Sequence, residues 1–207
     1  MEAGIFPFSK EVLDKLELYY DLIKNWQNKY NLIGSSTLKN MWERHFIDSA
    51  QLISLLPDEN KGKVIYDIGT GAGFPGMVLA IMGREDLVLC ESNAKKCLFL
   101  EEVKKKTNTN VIIDNIRAES LPLCSALAVT ARAVTSLTGL LKISLPLLAE
   151  KGVCVFPKGI NWKKELLFAQ KRFHIDYKLV KSITSKDSNI IIINNAEKIN
   201  ALKDNKK

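Results

Sequence analysis

The chain has 207 residues, 46% hydrophobic and 26% charged, enough for one α/β domain with a modest extension and unlike a disordered composition. Its net charge of +7 and pI near 9.1 favour a polyanionic partner, although many lysine-rich proteins are merely basic. Four cysteines without C-x-x-C spacing, two histidines far from any cysteine pair and no long apolar run argue against a disulfide scaffold, a zinc centre or a membrane span.

The N-terminal residues MEAGIFPFSKE show no basic segment leading into an apolar one, so a cytoplasmic protein is expected, with its cysteines reduced in the core. Residues 9–30 carry helical spacing, with Ser9 placed to cap and Val12, Leu16, Ile23 and Trp26 on one stripe. After a break at NLIGSST (31–37), a second helix is expected up to Pro57, with Leu38, Trp42, His45, Ser49, Leu52 and Leu56 on one face. Arg44 and Asp48 are spaced there for an ion pair. Arg44 and His45 admit two readings: a polar patch that docks the helix, or groups at the mouth of a site, facing the substrate.

From residue 62 short apolar runs alternate with helical patterns. Strands are expected at Val64–Ile68, Leu87–Cys90, 111–113, 127–131 and 153–156, and helices near 75–83, 93–106, 136–149 and 161–171. This alternation predicts βαβ crossovers and a doubly wound, mostly parallel sheet. Residues 177–183 and 189–194 read as an antiparallel hairpin at a sheet edge, followed by a polar tail, frayed or briefly helical. The expected organisation is a helical extension over residues 1–60 packed on a domain over 61–207, one globular unit in all.

The run YDIGTGAGFPG (66–76) closes the first expected strand. Gly71-Ala72-Gly73-Phe74-Pro75-Gly76 matches G-x-G-x-x-G, the pattern of a dinucleotide site. Two features argue for another ligand. Asp67 stands at the carboxyl end of the strand, where its charge would repel a diphosphate and suit the cationic S-adenosylmethionine. Pro75 removes an N–H from the helix start, where a phosphate needs donors. Glu91 closes the second strand, placed to accept from a ribose diol. After the third, residues 115–119 form either a solvated loop or a bracket for adenine, through a backbone N–H and Glu119. Arg132 follows the fourth strand, on the ligand side of an open α/β sheet. Lys158 follows the fifth and reads as a phosphate contact or a solvated charge. Lys163, Lys164, Lys171 and Arg172 add a possible basic face.

Taken together, Trp26…Lys29-Tyr30-Asn31-Leu32, Arg44-His45-Phe46-Ile47-Asp48-Ser49, Asp67 to Gly76, Arg117-Ala118-Glu119, Ala131-Arg132-Ala133 and Lys158-Gly159 closely resemble one family. It is the bacterial guanine-N7 methyltransferases of 16S (small-subunit) ribosomal RNA, the glucose-inhibited division protein B family. The resemblance runs nearly end to end and implies a class I S-adenosylmethionine-dependent methyltransferase fold. It implies a cofactor site with Gly69 and Phe74 at the methionine and sulfonium end, together with Asp67, Gly71, Gly73 and Glu91. Ala118 and Glu119 would meet the adenine, and Arg132 would lie beside the cofactor at the transfer site. It further implies 16S rRNA or the small subunit as partner; from the residues themselves no metal, no membrane and a monomeric chain are expected. Leu127 stands where the family commonly has an acidic residue. The competing expectations are an NAD-dependent oxidoreductase using the literal glycine pattern, and a non-catalytic RNA-binding module.

Overall fold

A computed structural model describes residues 6–58 and 62–199. Helix α1 (Lys10–Tyr30) starts where the Ser9 hydroxyl accepts from the Val12 N–H and ends at Asn31 in the left-handed region. The next segment departs from the regular helix expected to Pro57. It is a 3₁₀ stretch (Ser35–Asn40), a π-helical turn (Trp42–Ile47), the single α-turn α2 (Asp48–Ala50) and a second 3₁₀ stretch (Gln51–Leu55). The Asp48 N–H donates to the Glu43 carbonyl five residues back, and that wider turn rotates the faces. Phe46 and Ile47 go into the core, leaving His45 and Asp48 half-buried at its edge.

Strands β1 (Val64–Ile68), β2 (Leu87–Cys90), β3 (Ile112–Asp114), β4 (Ala126–Thr130), β5 (Leu148–Lys158), β6 (Phe173–Lys181) and β7 (Asn189–Lys198) form one sheet in the order β3-β2-β1-β4-β5-β7-β6. The first five are parallel and the last two join antiparallel, as the alternation predicted. Helices α3 (Gly76–Ile81), α4 (Ala94–Thr107), α5 (Leu137–Ser144) and α6 (Trp162–Gln170) make the connections. The α5 helix is shorter than expected, because Leu145-Pro146-Leu147 tightens into a 3₁₀ turn and β5 begins at Leu148. Residues 196–198, read from the sequence as the start of the tail, extend β7, and residues 200–207 of that tail lie outside the described residues.

The sheet is buried on both faces. On one, Ile65, Leu89 and Val155 pack with Leu16, Tyr19 and Ile23 of α1 and with Val103 of α4. On the other, Tyr66, Val129 and Phe156 pack with Leu140 and Leu141 of α5 and Leu166 of α6. Cys90, Cys97 and Cys154 are buried as expected; Cys124 is not, being exposed on a turn with φ 54°. Among the described residues no helix is long and apolar enough to cross a membrane, and no group of His, Cys, Asp and Glu is placed to hold a metal. Strand order reverses between β1 and β4, so a crevice opens at the carboxyl ends of those two strands.

Candidate active site

The glycine loop fills one side of that crevice. Gly69, Gly71 and Gly73 have φ of 63°, 63° and 99°, left-handed conformations that a side chain would strain. The loop is folded onto its own donors. The Gly73 and Phe74 N–H groups donate to the Thr70 carbonyl, Thr70 N–H to the Cys90 carbonyl, Gly71 N–H to Glu91 Oε2 and Gly76 N–H to Asp67 Oδ2. Pro75 has none to give. A diphosphate would find these N–H groups already engaged and two carboxylates close by.

Asp67 corrects one detail of the sequence reading. Its carboxylate does not reach out to meet a ligand but lies fully buried under the loop, with Oδ2 accepting from Gly76 and from the Thr70 hydroxyl. Asp67 Oδ1 is buried without a hydrogen-bond partner. Burial pushes the carboxyl up to about 7, against the Thr70 and Gly76 hydrogen bonds and the charge of Arg132. A cationic ligand above the loop would stabilise the anion; an anionic ligand would not.

This carries a pH signature. Asp67 holds its proton more tightly in the folded chain, where it titrates at about 7, than in the unfolded chain, at ~3.9. Its contribution to stability is present at low pH and is lost as pH rises through about 7. His45, held down to about 3, acts oppositely: its contribution is lost as pH falls below ~6.5. The two slopes offset each other in mildly acidic solution, so the variant difference is the test. Asp67→Asn should melt above the wild type at pH 8, with the gap closing toward pH 5, as read by calorimetry without ligand. A gap that does not vary with pH would refute the assignment.

Glu91 is almost buried at the end of β2. Its Oε2 accepts from Gly71 at 3.0 Å and its Oε1 from the Asn93 N–H at 2.8 Å, and each oxygen keeps a lone pair for a ribose hydroxyl. The Asn115 amide donates to the Glu91 carbonyl at 2.8 Å and draws the loop after β3 to this spot. On that loop Ala118 is half-buried in a 3₁₀ turn and Glu119 is exposed.

Across the crevice, the segment after β4 carries Arg132, Ala133 with φ 57°, and Val134. Val134 rests on Gly69: a Cβ at Gly69 would lie 2.8 Å from its Cγ2. Arg132 is held on every side. Its Nη1 donates to the Arg44 carbonyl at 2.9 Å and meets Asp48 Oδ2 at 3.4 Å, its Nη2 donates to His45 Nδ1 at 2.5 Å, and its guanidinium lies 4.9 Å from the centre of the Phe74 ring. Asp48 therefore pairs with Arg132, not with Arg44 as its helical spacing suggested. Phe74 is buried between His45 and Tyr19, whose hydroxyl donates to the Ala72 carbonyl, so it joins α1 to the centre.

His45 Nδ1 must accept from an arginine that only donates, so Nε2 carries the proton and donates to Thr37 Oγ1 at 2.9 Å. Burial first, then the charges of Arg132 and Arg44, hold His45 down to about 3 and neutral at ordinary pH. The packing supports the docking reading, since His45 holds the segment to Arg132 and Phe74; His45 also lines a cavity. That cavity, of about 430 Å³, is bounded by Arg44, His45, Arg132, Lys158, Glu165 and Thr184 among others.

Lys158 is not the solvated charge that one reading expected, and it lines the cavity. It is buried, donating to Glu165 Oε2 at 2.9 Å and to the Thr135 carbonyl at 3.1 Å, while the same Glu165 oxygen accepts from the Leu137 N–H. The pair buckles the segment that carries Arg132 and Val134 onto α6. Sequence reasoning missed Glu165, Thr184 and Gln51. Thr184 Oγ1 donates to Asp48 Oδ1 and the Ile183 N–H to Gln51 Oε1, and no local pattern marks a contact between such distant segments.

The family model described as rRNA small subunit methyltransferase G (GidB) matches residues 12–194. The chain belongs to this family. Among named members, the ribosomal RNA small subunit methyltransferase G of Paramagnetospirillum magneticum is 43% identical over 176 residues, 85% of each chain. That of Rickettsia akari is 36% identical over 192 residues, 92% of this chain and 98% of its own. Among solved structures, a tRNA (m1A58) methyltransferase from Aquifex aeolicus superposes with a TM-score of 0.55 at 20% identity, covering 75% of this chain and 69% of that one. A chain of the fibrillarin/Nop5p complex gives 0.54 at 17% identity, covering 73% and 81%. At such identities the likeness speaks for the fold, that of class I methyltransferases.

Proposed function

We propose that this protein is a monomeric cytoplasmic enzyme that transfers a methyl group from S-adenosylmethionine to N7 of one guanine in 16S rRNA, on the free RNA or the small subunit. The observation that carries the reading is the glycine loop, whose Thr70, Gly71, Gly73, Phe74 and Gly76 N–H groups are engaged internally over a buried Asp67 with one oxygen lacking a hydrogen-bond partner. Family membership supplies the substrate class.

The cofactor would supply an electrophilic methyl on sulfur. Gly69, Gly71 and Gly73 would let it approach the backbone, Glu91 would accept from its ribose, and Ala118 and Glu119 would meet its adenine. Guanine N7 carries an in-plane lone pair that is unprotonated at neutral pH, so no side chain has to remove a proton. The site agrees: His45 is neutral, but its only free lone pair is taken by Arg132. The residues instead orient and exclude water. Arg132 is fixed between Phe74, His45 and Asp48 at the junction of glycine loop and cavity. Arg44 is exposed at the rim, where a phosphate would meet it.

The test is methyl incorporation from labelled S-adenosylmethionine into 16S rRNA prepared from cells lacking the protein, with the product mapped. One N7-methylguanosine is expected. Tight binding of NAD with no response to S-adenosylmethionine would overturn the reading.

A further inference from the structure

The exposed face of α6 is unlike the rest of the surface. Lys164, Leu167, Phe168 and Lys171 recur at helical spacing on the side opposite the buried Leu166 and Ala169, with Lys163 and Arg172 flanking them. Ile160, Leu167 and Phe168 are 72%, 65% and 51% exposed, a cluster of large apolar groups that a solvated helix does not need. The Arg172 guanidinium lies 5.7 Å from the Phe168 ring and Lys163 Nζ 5.4 Å from the Trp162 ring. The one acidic residue of the helix, Glu165, points the other way and is neutralised by Lys158. The face is thus positive and aromatic together. It also starts at the cavity: β5 ends at Lys158, and Gly159 at the rim leads directly into the helix.

We propose that this face of α6 is a second docking surface for RNA, taking the strand that flanks the base held in the cavity. The inference rests on the RNA-methylating function proposed above. Lys164 and Lys171 contact phosphates, and Phe168 with Arg172 offers a stacking platform for an unpaired base. Charge complementarity selects the partner: the face and its flanks carry four exposed cations, Arg172 over the exposed Phe168 ring among them, and bases stack on aromatic faces without regard to sequence.

The experiment compares two charge reversals of equal size. Lys164→Glu with Lys171→Glu alters the proposed surface. Lys105→Glu with Lys106→Glu alters the exposed basic end of α4, which lies at the opposite edge of the sheet. Binding of deproteinised 16S rRNA is measured against salt, and S-adenosylmethionine binding checks the fold of each variant. The α6 variant should bind rRNA at least ~10-fold more weakly, with the log–log salt slope reduced by about 1.4, roughly 0.7 for each phosphate left without its lysine. The α4 variant should keep the wild-type slope. Phe168→Ala should weaken binding about five-fold or more, with the slope unchanged.

Equal losses from both reversals would mean that only net charge matters, and would overturn the proposal. So would wild-type rRNA binding by the α6 variant combined with weaker binding to intact small subunits, which would assign the face to a protein. Binding is read separately from methyl transfer. A wild type that binds rRNA through α6 but transfers no methyl group would sink the function and spare the surface.

Discussion

Arg132→Ala is expected to lower kcat for methyl transfer by at least ~10²-fold, while KM for S-adenosylmethionine changes far less. The side chain is the junction of the site: it stacks on Phe74 of the glycine loop and donates to Arg44, His45 and Asp48 of the N-terminal segment. Removing it unfastens both from the cavity, and an error of about 1 Å in the alignment of N7, methyl and sulfur is costly. Arg132→Lys should rescue little, because one ammonium cannot match a planar fork that donates in several directions and stacks. Because Arg132 also holds the Asp67 titration down, its loss alone would move that titration up from about 7; in the Arg132→Ala, Asp67→Asn double variant the residual activity should stay flat from pH 7 to 9. A new titration in that range would show that Arg132 had been holding back a proton-transfer group, and would count against a mechanism without a base.

Gly73→Ala should be strongly destabilising, by roughly 3–5 kcal/mol. At φ 99° an alanine is strained whatever space it finds. Here it finds none: its Cβ would lie 2.5 Å from the Tyr19 hydroxyl, 2.8 Å from Met77 Cβ and 2.9 Å from Leu100 Cδ2. Three elements meet at that carbon; the Tyr19 hydroxyl and Leu100 Cδ2 are side-chain ends, but the Met77 Cβ is fixed to α3, so relief would require α3 to shift. Gly34→Ala is the control, since its nearest neighbour is 3.9 Å away in ordinary backbone. The expected result is a fall in melting temperature of roughly 10 °C for Gly73→Ala and almost none for Gly34→Ala. Similar melting temperatures for the two would refute the packing described.

β1 and β2 were legible because they are short, apolar and almost wholly buried, and they fall at the residues their composition marks. The glycine loop was legible as a strand-to-helix turn, and Asp67 as a charge at the strand tip. The direction of that charge was not, since whether a carboxylate at a strand tip turns out or under depends on the donors the next turn offers. His45 and Asp48 were marked as a polar patch, but their true partner was hidden by the π-helical turn, which breaks the helical spacing on which any pairing rule depends. Lys158 shows a different limit. A lysine after an apolar strand looks like a surface cation until the carboxylate of Glu165, one helix turn into α6, is seen folded back onto it.

The order of the sheet has a consequence for synthesis. β5 pairs with β7, not with β6, and the loop between those last two strands grips Asp48 and Gln51 near the start of the chain. A nascent polypeptide that has emerged only as far as α6 presents β5 as an open edge and leaves Asp48 without the clamp that steadies it against Arg132. Competence to methylate rRNA therefore arrives late in this protein's own translation, when β7 slides between two strands already made.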